Sequence, residues 1–541
     1  MSQPGGYTAH LDTFCRDNLP APADMPQFVV DIPDVSYPDR LNCATELVTS
    51  HVTAGNGDRP CVSSPSGERL TYSEADALSN QLANLLVNEY GVVPGNRLLL
   101  RSTNKPWLLV AWLAGLKAGA VVVTTVPLLR PRELDTIQSI AAATVAMCDS
   151  ALLDGLRESS LASLPTLEVA DLDGLRSLVA GQPESFEPIE TAADDIAMLA
   201  FTSGTTGVPK GTLHYHRDVL AIADTFGKYV LKPVADDVFI GTPPLAFTFG
   251  LGGLVVFPMR VGASTVLVEK ATPPELAELI EQHGVTVCFT APTAYRAMLA
   301  AGLAPKLRSL RRAVSAGEHL PRAVWEDFCQ QTGVRLIDGI GSTEMLHIFI
   351  SSADDDIRPG STGRAVPGFQ AKIVDAAGQE VPRGTEGRLA VRGPVGCRYL
   401  ADDRQGAYVQ DGWNITGDTF MQDEDGYFWY RARSDDMIVS SGYNIAGPEV
   451  EEALIAHPAV SEIAVVGTPD DERGHVVHAF IVTAPGTEPT DELQAELQEF
   501  AKEQIAPYKY PRRITFIDEL PKTNTGKLQR SRLRQDWEAA R

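Results

Sequence analysis

Short apolar segments alternate with segments of helical periodicity along most of this chain, and that alternation constrains the fold more than any other feature. Leu78, Leu82 and Leu86 recur at helical spacing, and the predicted strand 97–100 follows them. Further along, predicted strands at 238–241, 285–289, 313–315 and 334–337 are separated by helical segments such as 274–283 and 321–332. Alternation of this kind predicts an α/β fold with a parallel sheet covered by helices.

The length of 541 residues predicts at least two domains. Past residue 360 the pattern changes to short β-like pieces with glycine turns, at 370–374, 387–392 and 427–430. A charged, turn-prone junction at 431–436 follows, and the chain then alternates again. We therefore predict a large N-terminal domain of helix-covered sheets plus a small β subdomain, residues 1–434, and a small α+β C-terminal domain, residues 435–541. The proline-rich residues 1 to about 60 are expected to form an arm packed on the first domain.

A polar, glycine-rich stretch follows the apolar run 196–201. It contains Thr202, Ser203, Gly204, Thr205, Thr206, Gly207 and Lys210. Glycines let backbone N–H groups turn inward, hydroxyls add short donors and the lysine adds a charge, so the stretch can cradle a polyphosphate. Its spacing differs from the common nucleotide-binding loop. From the stretch alone, a simple Ser/Thr/Gly linker remains open.

Three other turns follow predicted strands, at 243–253, 315–318 and 339–344. Open α/β sheets bind ligands beyond the carboxyl ends of their strands. We therefore expect these turns and the stretch at 202–211 to converge at one sheet edge.

Charge and cysteine content exclude several classes of protein. The net charge of −24 argues against a broad nucleic-acid or anionic-membrane surface, and no run reaches the length of a membrane helix. The seven cysteines are scattered and form no C-x-x-C pair, which favours a reducing cytoplasm over a disulfide framework or a zinc site. His214 and His216 lack a third metal ligand in reach and are interpreted as structural. Residues 502–541 hold ten Lys or Arg against five Asp or Glu, which fits either a basic lid or a solvated surface.

Five segments together resemble one superfamily. Residues 202–211, 341–344, 416–418, 430–433 and 521–527 occur in an order and spacing similar to the acyl-adenylate-forming, or AMP-dependent, synthetases and ligases. The resemblance extends from about residue 45 onward, and residues 338–349 look most like benzoate and 2-aminobenzoate CoA ligases. It implies that a carboxylate attacks the α-phosphate of ATP to give an acyl-adenylate and pyrophosphate, and that a thiol then displaces AMP.

The resemblance also assigns the nucleotide site. It implies that the stretch from Thr202 to Lys210 holds the β- and γ-phosphates, that Thr343 contacts the α-phosphate, and that Glu344 binds Mg²⁺. A single carboxylate combined with phosphate oxygens and waters suits magnesium. The resemblance further assigns Asp338 and Gly339 to the adenine edge and Asp418 and Arg433 to the ribose, and it includes Gly317 and Glu318 among the ATP- or AMP-binding residues.

Catalysis of the first half-reaction falls to Lys527, whose ammonium would stabilise charge at the carboxylate and the α-phosphate. The resemblance further implies a mobile small domain that turns at Asp435 for the second half-reaction. Gly442, Tyr443 and Asn444 then line a tunnel for the pantetheine arm of coenzyme A.

The acid pocket implied by the resemblance is a short, flat slot with apolar walls. Its residues are Ala246, Phe247, Phe249, Ser315, Ala316, His347 and Ile348. Phe247 takes a gating position and Phe249 a ring-contacting one, which disfavours a long fatty chain. His347 is the polar side chain expected to face the ring, and a site that satisfies a substrate N–H or O–H rejects analogues lacking it. The expected preference is therefore for 2-aminobenzoate or a similar small aryl acid over benzoate.

Three functions compete at this stage. The leading one is an aryl-CoA ligase that uses ATP, Mg²⁺ and coenzyme A, as a monomer or a homodimer. The second is a stand-alone adenylating enzyme that loads a separate carrier protein. The third, a catalytically silent adenylate-binding or regulatory protein, is disfavoured because Glu344, Asp418, Arg433 and Lys527 are all present.

Overall fold

The computed structural model describes residues 6–202, 209–433, 436–440, 443–470, 474–505, 507–522 and 528–539. At Arg433, Val439, Tyr443, Asn444, Gly474 and Pro507 this description covers the backbone alone. Within these ranges, no helix is both long and apolar enough to cross a membrane.

The first fifteen strands build two sheets. They are β1 (Pro60–Ser63), β2 (Arg69–Thr71), β3 (Arg97–Arg101), β4 (Val121–Thr125), β5 (Val145–Asp149), β6 (Thr166–Val169), β7 (Ile196–Phe201), β8 (Gly211–Tyr215), β9 (Val238–Gly241), β10 (Ser264–Val266), β11 (Val287–Thr290), β12 (Arg312–Ser315), β13 (Leu336–Gly341), β14 (Ile348–Ser351) and β15 (Arg364–Ala365). One sheet has the order β6-β5-β3-β4-β7-β8, and the other has the order β15-β14-β13-β12-β11-β9-β10-β1-β2. Most neighbours are parallel, as the alternation predicts, but β2, β8, β14 and β15 run antiparallel to the strands before them.

The helices of these two sheets follow the predicted segments closely. They are α1 (Phe14–Asp17), α2 (Ser50–Thr53), α3 (Tyr72–Asn88), α4 (Pro106–Lys117), α5 (Pro131–Ala141), α6 (Leu153–Arg157), α7 (Leu172–Leu178), α8 (His216–Ile222), α9 (Thr248–Leu251), α10 (Phe257–Val261), α11 (Pro273–His283), α12 (Pro292–Ala300) and α13 (Arg322–Thr332). Wider π-helical turns, Ala223–Leu231 and Gly252–Val256, extend α8 and join α9 to α10. Thr71 and Glu74 form a capping box at the start of α3, which explains why that helix begins there.

The expected β subdomain and small domain are both present. The subdomain contains β16 (Gln370–Val374), β17 (Glu386–Arg392), α14 (Gln405–Tyr408), β18 (Val409–Gln410), β19 (Trp413–Gln422) and β20 (Phe428–Arg433). The small domain contains β21 (Ile438–Ser440), β22 (Tyr443–Ile445), α15 (Gly447–Ile455), β23 (Val460–Asp470), β24 (Gly474–Thr483), α16 (Asp491–Gln504), β25 (Arg513–Phe516) and α17 (Arg530–Ala539). Its strands form a separate sheet of order β22-β21-β24-β23 with β25 beside β24, and it has its own apolar core around Val450, Leu454 and Leu497.

The N-terminal arm packs on the large domain, as expected. Asp195 is fully buried and accepts hydrogen bonds from the Ala9 backbone (2.9 Å) and the Arg16 guanidinium (3.0 Å), and Thr8 donates to the same carboxylate. One buried carboxylate therefore fastens the arm to the six-stranded sheet.

Candidate active site

A cavity of about 800 Å³ lies where both sheets, the β subdomain and the small domain meet. Thr202 and Lys210 border it from the six-stranded sheet, while Gly317 and Glu344 border it from the nine-stranded sheet. The expectation of a single sheet edge is therefore wrong. The stretch at 202–211 and the turns at 315–318 and 339–344 meet at a junction between two sheets, because β7 and β8 belong to a different sheet from β12 and β13. No residue of the turn at 243–253, which the structure describes throughout, borders this cavity.

The glycine-rich stretch joins two antiparallel strands, β7 and β8. Its ends are closed by a hydrogen bond from the Thr202 backbone N–H to the Lys210 carbonyl (3.0 Å). Ser203, Gly204, Thr205, Thr206 and Gly207 lie outside the described residues. The described ends show that Thr202 and Lys210 both border the cavity, as a phosphate-binding role requires.

Lys210 and Glu344 are brought together through Tyr399. The Lys210 ammonium donates to the Tyr399 hydroxyl (2.8 Å), and that hydroxyl donates to Glu344 Oε1 (2.5 Å). Tyr399 was missed by sequence reasoning, since it stands in a stretch without a motif. Its backbone neighbours pair with β8, because Leu213 N–H donates to the Arg398 carbonyl (2.8 Å) and Leu400 N–H donates to the Gly211 carbonyl (2.9 Å). This pairing positions Tyr399 between Lys210 and Glu344.

The turn after β13 carries Thr343 and Glu344, and a buried histidine supports it. His214 Nε2 donates to the Thr343 carbonyl (2.8 Å), while its Nδ1 lies 3.8 Å from Asp218 Oδ2. The buried Arg398 guanidinium donates to that same carboxylate oxygen (2.7 Å) and holds the pKa of Asp218 below its usual range. The interpretation of His214 as a structural residue can therefore be made specific, because its ring holds the Thr343 backbone in place.

Asp338 lies within β13 and borders the cavity next to Gly339. Among the described residues, its Oδ1 has no hydrogen-bond partner. Burial raises the pKa of Asp338 to about 8, so the carboxyl is mainly neutral at pH 7. A neutral carboxyl can both donate and accept, which fits the edge of a heterocyclic base.

Gly317 and Glu318 border the same cavity from the turn after β12. Gly317 has a φ of +90°, a left-handed conformation that favours glycine. His319, which follows them, was not singled out from the sequence although it belongs to the same turn. Its ring stacks on Tyr430 with centroids 5.6 Å apart, and burial together with the Arg530 charge lowers its pKa to about 4. A neutral aromatic pair therefore closes this side of the cavity.

Asp418 borders the cavity from β19 and pairs in register with Arg433 on β20. The two positions that the resemblance assigns to the ribose are thus adjacent across an antiparallel pair of strands.

The small domain contributes the opposite wall of the cavity. Lys522, Leu528, Gln529 and Arg530 all border it, and Lys522 pairs with Leu528 across residues 523–527. Lys527 itself lies outside the described residues. Arg530 donates to both carboxylate oxygens of Glu451 (2.8 Å each), and this ion pair raises the pKa of the arginine.

His347, which the resemblance assigns to the acid pocket, is 2% exposed. Its ring lies among Phe226, Phe249, Phe257 and Phe289, with centroid distances of 4.6–6.3 Å. Neither ring nitrogen makes a hydrogen bond of normal geometry within the described part of the chain. Burial lowers the pKa of His347 to about 3, so the imidazole is neutral.

Of the other residues predicted for the acid pocket, Phe249 contacts the His347 ring. Ser315 is buried and its hydroxyl has no partner among the described residues, while Ala246, Ala316 and Ile348 are buried and Phe247 and Phe249 half-buried. A Cβ built on Gly252 would lie 2.3 Å from His347 Cδ2, so a glycine is needed there for close approach. Ile348 packs over Gly339, which links the slot to the nucleotide side.

The predicted coenzyme A residues are described only in part. Asp435 and Gly442 lie outside the described residues. The backbones of Tyr443 and Asn444 lie in β22, opposite Ser440 and Val439 of β21.

The donor set at Glu344 fits Mg²⁺. In the described ranges, no group of three or more His, Cys, Asp or Glu side chains forms a metal cluster. Glu344 borders the cavity close to Lys210, and one such carboxylate suits magnesium, which keeps waters and shares phosphate oxygens.

Comparison with known proteins agrees with this geometry. The model of the AMP-binding enzyme family matches residues 49–399, and that of the AMP-binding enzyme C-terminal domain matches residues 449–527. The chain therefore belongs to the AMP-binding enzyme family, which confirms the resemblance.

More particular similarity is to aryl-CoA ligases. The chain is 36% identical to a benzoate–CoA ligase of Thauera aromatica, over 93% of this chain and 97% of that relative. It superimposes with a TM-score of 0.89 on the anthranilate CoA ligase AuaEII in complex with anthranoyl-AMP, at 34% identity and over 94% and 99% of the two chains. A benzoate CoA ligase from Burkholderia xenovorans LB400 gives a TM-score of 0.84 at 33% identity, over 91% and 100%.

Proposed function

We propose that this protein is an ATP-dependent aryl-CoA ligase. It adenylates a small aromatic carboxylic acid with release of pyrophosphate and then transfers the acyl group to coenzyme A. The observation that carries the proposal is the single cavity bordered by Lys210, Glu344 and Asp418 on one side and by the segment flanking Lys527 on the other. The names of the similar proteins, two benzoate CoA ligases and an anthranilate CoA ligase, support the aryl substrate class.

In the first half-reaction, an oxygen of the aryl carboxylate attacks the α-phosphorus of ATP and the bond to pyrophosphate breaks. This chemistry depends on positioning and charge neutralisation more than on a nucleophilic side chain. Thr202, Lys210 and the stretch between them hold the departing pyrophosphate, Thr343 contacts the α-phosphate, and Asp418 with Arg433 holds the ribose. Magnesium, held by Glu344, neutralises phosphate charge when it is bound. Gly317, Glu318, Asp338 and Gly339 meet the adenine.

In the second half-reaction, the thiol sulfur of coenzyme A attacks the carbonyl carbon, the bond to AMP breaks, and the thiol proton leaves to solvent. We place the domain boundary at 434/435 and the turning point at Asp435, with Gly442, Tyr443 and Asn444 beside the pantetheine arm. The seven unpaired cysteines support action in a reducing compartment such as the cytoplasm.

Lys527 is proposed as the catalytic lysine of adenylation. Lys522 and Leu528, which border the cavity on either side of residues 523–527, support this. We expect Lys527→Ala to lower adenylate formation by on the order of 10²–10³-fold, because one preorganised charge contact is lost. Conversion of a supplied aryl-adenylate to thioester should continue, as measured by single-turnover kinetics. Lys522→Ala is the matched control, and equal loss of both half-reactions in Lys527→Ala would contradict the assignment.

The preferred acid is 2-aminobenzoate or a similar ortho-substituted aryl acid. The support is His347, a neutral and buried imidazole whose nitrogens make no hydrogen bond of normal geometry among the described residues. An ortho amino group can satisfy it, whereas benzoate leaves it unpaired at a cost. The test is a panel of benzoates in an assay of thioester formation with free coenzyme A. The highest kcat/KM for unsubstituted benzoate would overturn this preference.

A stand-alone enzyme that loads a carrier protein is the alternative. Exchange of pyrophosphate into ATP that depends on the aryl acid, without thioester formation from free coenzyme A, would favour it. Absence of any exchange across the panel would favour a catalytically silent adenylate-binding protein.

A further inference from the structure

Tyr399 stands between two groups of opposite charge at the cavity. Its hydroxyl accepts from the Lys210 ammonium (2.8 Å) and donates to Glu344 Oε1 (2.5 Å), while the ammonium and the carboxylate oxygen are 4.0 Å apart. A phenol hydroxyl has a single proton and two lone pairs, so it can satisfy both neighbours at once only in this orientation.

The tyrosine is well fixed in this position. It is 1% exposed, and its ring packs edge-to-face on Tyr408 with centroids 5.7 Å apart. Position 399 also pairs with Thr212 of β8.

Lys210 and Glu344 already form a long ion pair of 4.0 Å, and without the intervening hydroxyl the ammonium and the carboxylate would close into a direct, hydrogen-bonded pair. Each would then neutralise the other. Lys210 would be less available to phosphate oxygens, and Glu344 would be less available to a cation.

We propose that Tyr399 is a positioning residue that keeps Lys210 and Glu344 apart and oriented toward the magnesium-bound phosphates of ATP. This inference rests on the proposed roles of Lys210 and Glu344 in binding Mg·ATP.

The test is Tyr399→Phe, which keeps the ring and removes the hydroxyl. We expect the Kd of Mg·ATP, measured by calorimetry, to rise on the order of tenfold, the loss typical of one hydrogen bond to a charged group. The KM of the aryl acid should change less than twofold, and thioester formation from a supplied aryl-adenylate should be retained. Tyr408→Phe is the matched control: it removes a neighbouring hydroxyl that has no hydrogen bond to Lys210 or Glu344 among the described contacts.

A double-mutant cycle separates positioning from general packing. In a Lys210→Met background, the effect of Tyr399→Phe on Mg·ATP affinity should shrink to less than threefold, because the ion pair can no longer form. Tyr399→His, which keeps a ring and an N–H donor, should recover part of the lost affinity and serves as the probe if Tyr399→Phe does not fold. Unchanged Mg·ATP affinity in Tyr399→Phe, or an equal loss in both backgrounds, would overturn the proposal. If the proposed aryl acids are not substrates, the wild type will form no thioester from them. Mg·ATP affinity can still be measured in all four proteins of the double-mutant cycle in that case.

Discussion

Asp338 is a carboxyl group in an environment that disfavours its charge. Burial raises its pKa from 3.8 to about 8. In the unfolded chain the carboxyl is ionised at any pH above its ordinary pKa of 3.8, whereas in the folded protein it stays protonated up to about pH 8. The folded state therefore binds more protons than the unfolded state in this window, and stability falls as the pH rises through it.

Asp338→Asn should remove this pH dependence, because the amide resembles the neutral carboxyl and does not ionise. The melting temperature of the variant minus that of the wild type should grow as the pH is raised from 5 to 8, by a few degrees at most. Above pH 8 this difference should stay constant. Thermal melts without nucleotide at several pH values measure this. Asp356→Asn, at an exposed position, is the control, and a difference that is the same at pH 5 and pH 8 would contradict the prediction.

The residues that border the cavity were predictable from sequence where a motif identifies them. Thr202, Lys210, Gly317, Glu344 and Asp418 all border one cavity, as expected. The supporting contacts were not predictable, because their partners are far apart in sequence. Tyr399 is 55 residues from Glu344, and His214 is 129 residues from Thr343.

At the scale of elements, helices α3 and α4 are joined by a fully buried lysine. The Lys117 ammonium donates to Asp76 Oδ1 (2.7 Å), Ser79 Oγ (2.8 Å) and Asn80 Oδ1 (2.7 Å). Every donor of the ammonium is therefore satisfied by α3, which makes burial of the charge tolerable.

Lys117→Met should destabilise the large domain by about 3–5 kcal/mol, because it leaves Asp76 as a buried carboxylate without its partner. Chemical denaturation followed by intrinsic fluorescence measures the change. Lys502→Met removes the half-exposed partner of Glu499 on α16 and should cost about 1 kcal/mol or less. Equal losses of stability in the two variants would show that the burial of Lys117 does not determine its contribution to stability.

The type of most elements was predictable from the sequence, whereas the pairing of the strands was less predictable. The predicted strand segments at 238–241 and 370–374 became β9 and β16 with the same bounds. The antiparallel strands β8 and β14 were not predicted, since a short apolar run carries no signal of its direction. The division of the strands between two sheets was missed for the same reason, as strand order depends on contacts between distant segments.

At the scale of the whole molecule, the two domains meet beside the cavity. The Arg322 backbone N–H donates to Glu452 (3.3 Å), and the Arg296 guanidinium donates to the Val460 carbonyl (3.4 Å). Arg530 of α17 borders the cavity and acts electrostatically on Tyr430 of the large domain, while its charge is balanced by Glu451 of α15.

Glu451→Gln should impair adenylation more than thioester formation. It leaves the Arg530 charge unbalanced at the contact between domains, and misplacement of the neighbouring segment by about 1 Å can cost on the order of 10²-fold in rate. Pyrophosphate exchange and thioester formation from supplied aryl-adenylate measure the two steps. Glu449→Gln on the same helix, which removes a partner of Lys509, is the control. A uniform loss in both half-reactions would contradict a role specific to this domain arrangement.

The presence of a large domain and a small one was predictable from the change in pattern near residue 431. The cavity that the two domains share was not predictable, because the residues that line it are spread along the chain from 202 to 534.

The cysteines give the molecule a practical property. All seven are unpaired, and six are buried, while Cys329 on α13 is partly exposed. A thiol-reactive dye therefore finds one accessible attachment point on the large domain without prior removal of the other cysteines. A second dye at the exposed position 495 of α16, introduced as Ala495→Cys, would let energy transfer between the two fluorophores follow the small domain during turnover.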